Sequence, residues 1–134
     1  MSEFHLQIVT PDGVFFDGTA QKIVVKTTEG DVGILARHAD YLAPIGIGKA
    51  TVFGVDGKKR DAACVGGLIS VTKEVTRIVA STFEWADTID LERAKRAAEA
   101  AQKRIDSKKS DADIKLAQLK LKRALNRISV YESK

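Results

Sequence analysis

The chain has 134 residues, 44% hydrophobic and 30% charged, with a formal net charge of +4, which suits one ordinary soluble domain or two very small units and excludes a disordered chain. No run approaches the roughly 18 consecutive apolar residues of a bilayer-spanning helix, and MSEFHLQIVT is too polar for a secretory signal, so a cytosolic protein with no direct membrane insertion is expected. The charge is uneven: residues 1–86 hold 9 Lys/Arg against 10 Asp/Glu, whereas residues 87–134 hold 13 against 8.

The first part reads as strands. Phe4, Leu6 and Ile8 alternate with His5, Gln7 and Val9, the two-residue period of a half-buried strand. Pro11-Asp12-Gly13 is a turn signal, because proline presets φ and glycine accepts positive φ. Glu29-Gly30-Asp31 separates QKIVVKT from the next apolar run, and Asp56-Gly57 between ATVFGV and KKRDAACV predicts a two-residue hairpin turn. Cys64, the only cysteine, lies in the apolar run AACVGGLISV and is expected as a buried thiol. Gly66-Gly67 in the same run predicts a bulge or a close approach of two backbones. Short strands, frequent turns and no helix between them point to an antiparallel sandwich or a flattened barrel.

After Gly67 the chain contains neither glycine nor proline, which permits long helices. Leu91, Ala94, Ala98, Ala101 and Ile105 follow helical spacing, as do Ile114, Ala117, Leu121, Ala124 and Ile128. Asp87 or Thr88 is expected to cap the first helix, and Ser110 or Asp111 the second, after the polar break Ser107-Lys108-Lys109-Ser110. Alanines on the facing sides predict a close antiparallel hairpin turning near residues 108–109. That geometry sets residue 93 opposite roughly residue 124 and draws Arg93 towards Arg123 and Arg127, which share a face at i and i+4. Asp90 neutralising Arg127 is one reading of the group, and an anion seated among the remaining charges is the other.

Enzymatic readings find little support. The histidines, His5 and His38, are far apart in sequence and not near Cys64, and no glycine-rich phosphate-cradling loop is present. Neither catalytic residues, nor a metal site, nor a redox cofactor is expected. A nucleic-acid clamp built on the basic hairpin is disfavoured, because Tyr131 is its only aromatic and its cations are interleaved with acids.

Thr10-Pro11-Asp12-Gly13, Glu29-Gly30-Asp31-Val32-Gly33-Ile34-Leu35, His38, Leu42-Ala43-Pro44-Ile45, Gly66-Gly67-Leu68, Ile89-Asp90…Arg93-Ala94 and Leu121–Arg127 occur in order along essentially the whole chain. In these residues the chain resembles the epsilon subunit of bacterial F-type ATP synthase. It departs at Ala36-Arg37, where relatives often carry proline and a small residue. The resemblance implies a ten-stranded antiparallel β-sandwich over residues 1–86 that meets the gamma subunit and the c-subunit ring. A regulatory antiparallel helical hairpin over residues 87–134 is implied to follow it. The implied role is non-catalytic: a central-stalk subunit coupling proton-driven rotation to ATP synthesis, peripheral to the cytoplasmic face of the bacterial plasma membrane. An extended hairpin is implied to reach the alpha and beta subunits of the catalytic head and inhibit ATP hydrolysis.

By the same resemblance the folded hairpin binds ATP as a regulatory ligand. Glu84, Asp90, Arg93, Ala94, Arg123 and Arg127 are the implied site, with the acids on the adenine side and the arginines at the phosphates. Where some ATP-binding relatives carry a further arginine this chain has Ala100, with Arg96 and Arg104 nearby. Lys115, Lys120, Lys122, Arg123 and Arg127 are the implied contacts to an acidic segment of the beta subunit. On composition alone, a solvated basic face is the alternative for this group.

Overall fold

The structure, a computed structural model, describes residues 2–107 and 110–133. Its strands are β1 (Phe4–Thr10), β2 (Gly13–Ala20), β3 (Lys22–Thr27), β4 (Gly30–Leu35), β5 (Tyr41–Pro44), β6 (Ile47–Phe53), β7 (Lys59–Val65), β8 (Leu68–Val71), β9 (Thr76–Val79) and β10 (Thr82–Trp85). Two helices follow, α1 (Leu91–Asp106) and α2 (Asp111–Glu132), after a 3-10 turn at Ala86–Thr88. The chain divides into two compact units, Met1–Trp85 and Ala86–Lys134.

The first unit is a β-sandwich of two five-stranded sheets, ordered β2-β1-β9-β8-β5 and β10-β7-β6-β3-β4. Alternation decides which side chains enter the core. Leu6 and Ile8 of β1 share the core with Ile69 and Ile78 of the same sheet and with Ile23, Val25 and Ile34 of the other sheet, all fully buried. Each such side chain contributes roughly 1.5–3 kcal/mol on burial, so the sandwich has a core of its own. Pairing is antiparallel throughout except between β1 and β9, which run parallel with Leu6 opposite Thr76. These strands lie far apart in sequence, so the tight turns that force antiparallel neighbours do not constrain them.

Pro11 and Asp12 form the turn between paired Thr10 and Gly13, as the sequence predicts. The Asp56-Gly57 turn is longer than its two-residue signal. Here β6 ends at Phe53 and β7 resumes at Lys59, because Asp56 Oδ1 accepts the Lys58 N–H at 2.9 Å while Gly54 N–H donates to the Lys58 carbonyl at 2.9 Å. The side-chain bond offers the backbone a local alternative to the ladder. Cys64 is buried, and desolvation pushes its thiol up from 9.0 to about 12.

β1 and β2 lose register between Ile8 and Val9: Ile8 pairs with Phe16 and Val9 with Val14, leaving Phe15 as the extra residue of a bulge. The bulge lets consecutive residues Phe15 and Phe16 both reach Trp85, at centroid distances of 5.6 and 6.1 Å.

In the second unit the helices form a hairpin whose contact is made by alanine. Ala94 and Ala101 of α1 and Ala117 and Ala124 of α2 are buried, while Leu91, Ala98, Ile105, Ile114, Leu121 and Ile128 are half-buried. Ala101 and Ala117 lie equally far on either side of the connection, as do Ala94 and Ala124, the register of an antiparallel pair. The expected turn centre, Lys108 and Lys109, lies outside the described residues. Ser110 caps α2, its side chain accepting the Asp113 N–H. The cap of α1 is neither Asp87 nor Thr88, which fall in the 3-10 turn; Asp90 takes the position in extended conformation. An aspartate directly ahead of the helix outcompetes capping residues spent in a separate turn.

Candidate functional site

α2 positions Arg123 and Arg127 one helical turn apart, flanking buried Ala124. Arg93 immediately precedes buried Ala94 on α1. Because Ala94 and Ala124 occupy equivalent positions about the connection, the three arginines gather at the same end of the hairpin. Arg93 and Arg123 are exposed and Arg127 is half-buried. Alanines in the seam keep the helices close, so that residues beside Ala94 and Ala124 start from neighbouring backbone positions. The planar fork of a guanidinium matches phosphate oxygens bidentately.

Asp90 is engaged in the helix. Its Oδ1 accepts the Arg93 backbone N–H at 3.1 Å, which fixes the first turn and the point from which the Arg93 side chain departs. One carboxylate offers about four acceptor sites, so this bond leaves capacity for a second partner. Capping and ligand binding are therefore compatible uses of Asp90.

Glu84 belongs to the first unit. It stands on β10 opposite Ala63 of β7, half-buried, between Phe83 and Trp85, whose rings point to the other face of the strand. Lys115, Lys120 and Lys122 are exposed on α2. Lys115 and Lys122, two turns apart, share a face of α2, whereas Lys120, Arg123 and Arg127 are turned roughly 100–160° from it, so these cations wrap partway around the helix rather than forming a single row. Ala100, Arg96 and Arg104 are exposed on α1.

The histidines are less separated in space than in sequence. His5 and His38 line one open depression of about 940 Å³ in the sandwich, together with Glu3, Arg37, Asp40 and Lys73. Each is already held: His5 Nε2 lies 2.5 Å from Asp17 Oδ1, and His38 Nδ1 donates to the Ala39 carbonyl at 2.7 Å. The His5 bond holds the Asp17 carboxyl below its ordinary value. Cys64 is in the core and is not among the lining residues. Among the described residues no group of three His, Cys, Asp or Glu is arranged to hold a metal ion, and no helix is long and apolar enough to cross a membrane.

Sequence reasoning missed a different cluster. Phe15, Phe16, Phe83 and Trp85 pack ring against ring, with centroid distances of 5.2–6.1 Å, and the Arg60 guanidinium sits 3.9 Å from the Trp85 ring centre. The doublet Phe15-Phe16 and the triplet Phe83-Glu84-Trp85 were the signals available, and neither shows that two edge strands meet.

One surface is more apolar than folding requires. On the outer face of the β1-containing sheet, Leu42, Leu68 and Val79 are 67%, 45% and 46% exposed, on neighbouring strands β5, β8 and β9. Leu68 pairs directly with Val79 and with Pro44.

The family model for the ATP synthase delta/epsilon chain β-sandwich domain matches residues 3–86, and that for the delta/epsilon chain long α-helix domain matches residues 87–132. The ATP synthase epsilon chain of Ruminococcus albus is 39% identical over 135 aligned positions, covering all of both chains. That of Alkaliphilus oremlandii is 44% identical, over 82% of this chain and 81% of its own. Among solved structures, a chain in the cryo-EM structure of the Euglena gracilis mitochondrial ATP synthase OSCP/F1/c-ring superposes with a TM-score of 0.75. Its identity is 22%, over 98% of this chain and 79% of that one.

Proposed function

This chain belongs to the delta/epsilon chain family of ATP synthase, and from that premise we propose that its helical pair is a nucleotide-sensitive regulator carried on a stalk-docking sandwich. The sandwich is the coupling element, docked on the gamma subunit and the c-subunit ring at the cytoplasmic face of the bacterial membrane. The exposed stripe of Leu42, Leu68 and Val79 supports a protein-docking role, since apolar side chains adjacent across three strands gain from being covered.

The observation that carries the regulatory reading is the gathering of Arg93, Arg123 and Arg127 at one end of an alanine-seamed hairpin. In the compact hairpin the arginines hold the phosphates of ATP, and Asp90 addresses the adenine. The nucleotide is bound and not hydrolysed. Extension of the hairpin reuses Arg123 and Arg127, together with Lys115, Lys120 and Lys122, against an acidic segment of the beta subunit and inhibits ATP hydrolysis. The two uses compete for the same guanidiniums, so ATP shifts the population towards the compact, non-inhibitory state by its differential affinity.

Calorimetric titration of the full chain with ATP, with and without magnesium, tests the reading. Saturable heat that Arg123→Ala weakens supports it, and absence of binding at millimolar ATP sinks the nucleotide part while leaving the coupling role intact.

A further inference from the structure

The outer face of the β1-containing sheet is ordered in rows that cross all five strands. One row is apolar: Val14 of β2 pairs with Val9 of β1, Val9 with Val79 of β9, Val79 with Leu68 of β8, and Leu68 with Pro44 of β5. At about 4.8 Å between strands this row is roughly 19 Å long. The bulge at Phe15 completes it, because an unbroken register would set Phe15 rather than Val14 beside Val9. Val14 is 62% exposed there.

The neighbouring row is Asp17, Gln7, Arg77, Ser70 and Leu42, polar over its first four strands. Hydrogen-bond chemistry gives it a fixed direction. A carboxylate accepts and a guanidinium donates, so Gln7 between them turns its amide nitrogen to Asp17 Oδ2 at 3.4 Å and its Oε1 to the Arg77 Nε–H at 2.6 Å. The flipped amide would set donor against donor and acceptor against acceptor. Asp17 is held from its other oxygen by His5, whose Nε2 lies 2.5 Å from Oδ1.

Gln7 therefore fixes where the Arg77 guanidinium lies while using one of its five N–H donors. The Nη pair forms the end-on fork that takes a carboxylate bidentately. An unanchored arginine loses rotamer freedom when a partner captures it, and an anchored one has less to lose. Arg77 is exposed and stands two residues from Val79 of the apolar row. Of the residues in the two rows only Asp17 and Arg77 are charged, and Asp17 faces His5.

We infer that Arg77 is a specificity residue of the docking face: its guanidinium, positioned by Gln7, seats a carboxylate of the gamma subunit at the flank of the apolar contact made by Val14, Val79 and Leu68. This role of Arg77 rests on the docking proposed above for the same face, and adds to it the register and charge of what docks. An apolar row alone accepts any apolar strip and lets it slide along its length. One anchored fork beside the row selects a single register and rejects partners without an acid there.

Binding of the full chain to a catalytic head that carries gamma but lacks its epsilon chain, followed by interferometry, tests the seat. Leu68 and Arg77 are exposed, so their variants are expected to keep the fold, which circular dichroism checks. Leu68→Ser reports on the docking face and is expected to weaken binding several-fold. Arg77→Gln is expected to weaken it roughly tenfold or more, the loss of a charge-assisted bond. Arg77→Lys keeps the charge without the fork, and is expected to restore the association rate but not the slow dissociation. Gln7→Ala is expected to weaken binding in the unaltered chain and to have no effect in the Arg77→Gln background, the pattern of a positioning residue. Weakening by Leu68→Ser with none by Arg77→Gln overturns the Arg77 seat and leaves the docking face standing. An Arg77→Lys chain that matches the unaltered one in dissociation also overturns it, since a point charge would then suffice. No effect of Leu68→Ser shows that gamma docks elsewhere and overturns both readings.

Discussion

A Cβ built on Gly67 falls 1.7 Å from the backbone oxygen of Val79, far inside van der Waals contact. Gly67 also has φ of +96°, a conformation L side chains rarely adopt. Both constraints come from the step between sheets, where Ile45 N–H donates to the Gly67 carbonyl at 2.9 Å and fixes the backbone that would have to retreat. Gly67→Ala is therefore expected to destabilise the protein by at least about 3 kcal/mol, the range of combined strain and overpacking. Gly57→Ala is the comparison. Gly57 also has positive φ, but nothing lies within 4 Å of its added Cβ, so only the local cost of roughly 1 kcal/mol remains. Urea unfolding of the two variants checks this, and equal losses would show that the close approach does not matter.

The close approach at Gly66-Gly67 was readable because two adjacent glycines leave a gap in an apolar run that a bulge or a neighbouring backbone fills. Alternation placed Leu6 and Ile8 in the core, and helical spacing placed Ala94, Ala101, Ala117 and Ala124 in the seam. What escaped was non-local or delicately balanced. Phe15 and Trp85 are brought together by a bulge and two edge strands, which no periodicity encodes. Asp87, Thr88 and Asp90 are all competent caps, and the choice among them follows from the 3-10 turn at Ala86–Thr88. The positions of Arg93, Arg123 and Arg127 at one end of the helical pair were legible because helix geometry sets their spacing. Their affinity for a ligand was not, because charge convergence alone does not distinguish a phosphate seat from a solvated face.

Cys64 gives a prediction in pH. Burial raises the folded thiol to about 12 from 9.0, so the native state keeps its proton where the unfolded chain releases it. Its contribution to stability is complete below pH 9 and is lost progressively as pH rises towards 12. A thiol reagent at about pH 8 is expected to leave the native protein unmodified and to label Cys64 fully in denaturant. Rapid native labelling would contradict the buried assignment.

Removing residues 87–134 tests the independence of the sandwich. Its core residues all lie within the sandwich unit, and Trp85 is packed by side chains of the same unit. The truncated chain is expected to unfold cooperatively and to keep the emission of a buried tryptophan. Installed in the assembled enzyme, it is expected to raise ATP hydrolysis while coupling persists. A truncated complex as inhibited as the intact one would refute a hairpin-based mechanism.

Asp90 separates capping from ligand binding. Asparagine caps a helix about as well as aspartate but carries no charge, whereas alanine does neither. Asp90→Asn is expected to leave α1 intact and to weaken ATP binding, whereas Asp90→Ala also costs about 1 kcal/mol of helix stability. Arg123 is exposed, so Arg123→Ala is expected to change stability by no more than about 0.5 kcal/mol. Losing one charge-assisted bond to phosphate is worth about 1.5–3 kcal/mol, so the same variant is expected to weaken ATP binding roughly tenfold or more. Arg127→Ala should act in the same direction. Circular dichroism and calorimetry on these four variants give a distinctive pattern. Unchanged ATP affinity in both arginine variants would leave Arg93, Arg123 and Arg127 as a solvated basic surface and Asp90 as a cap alone.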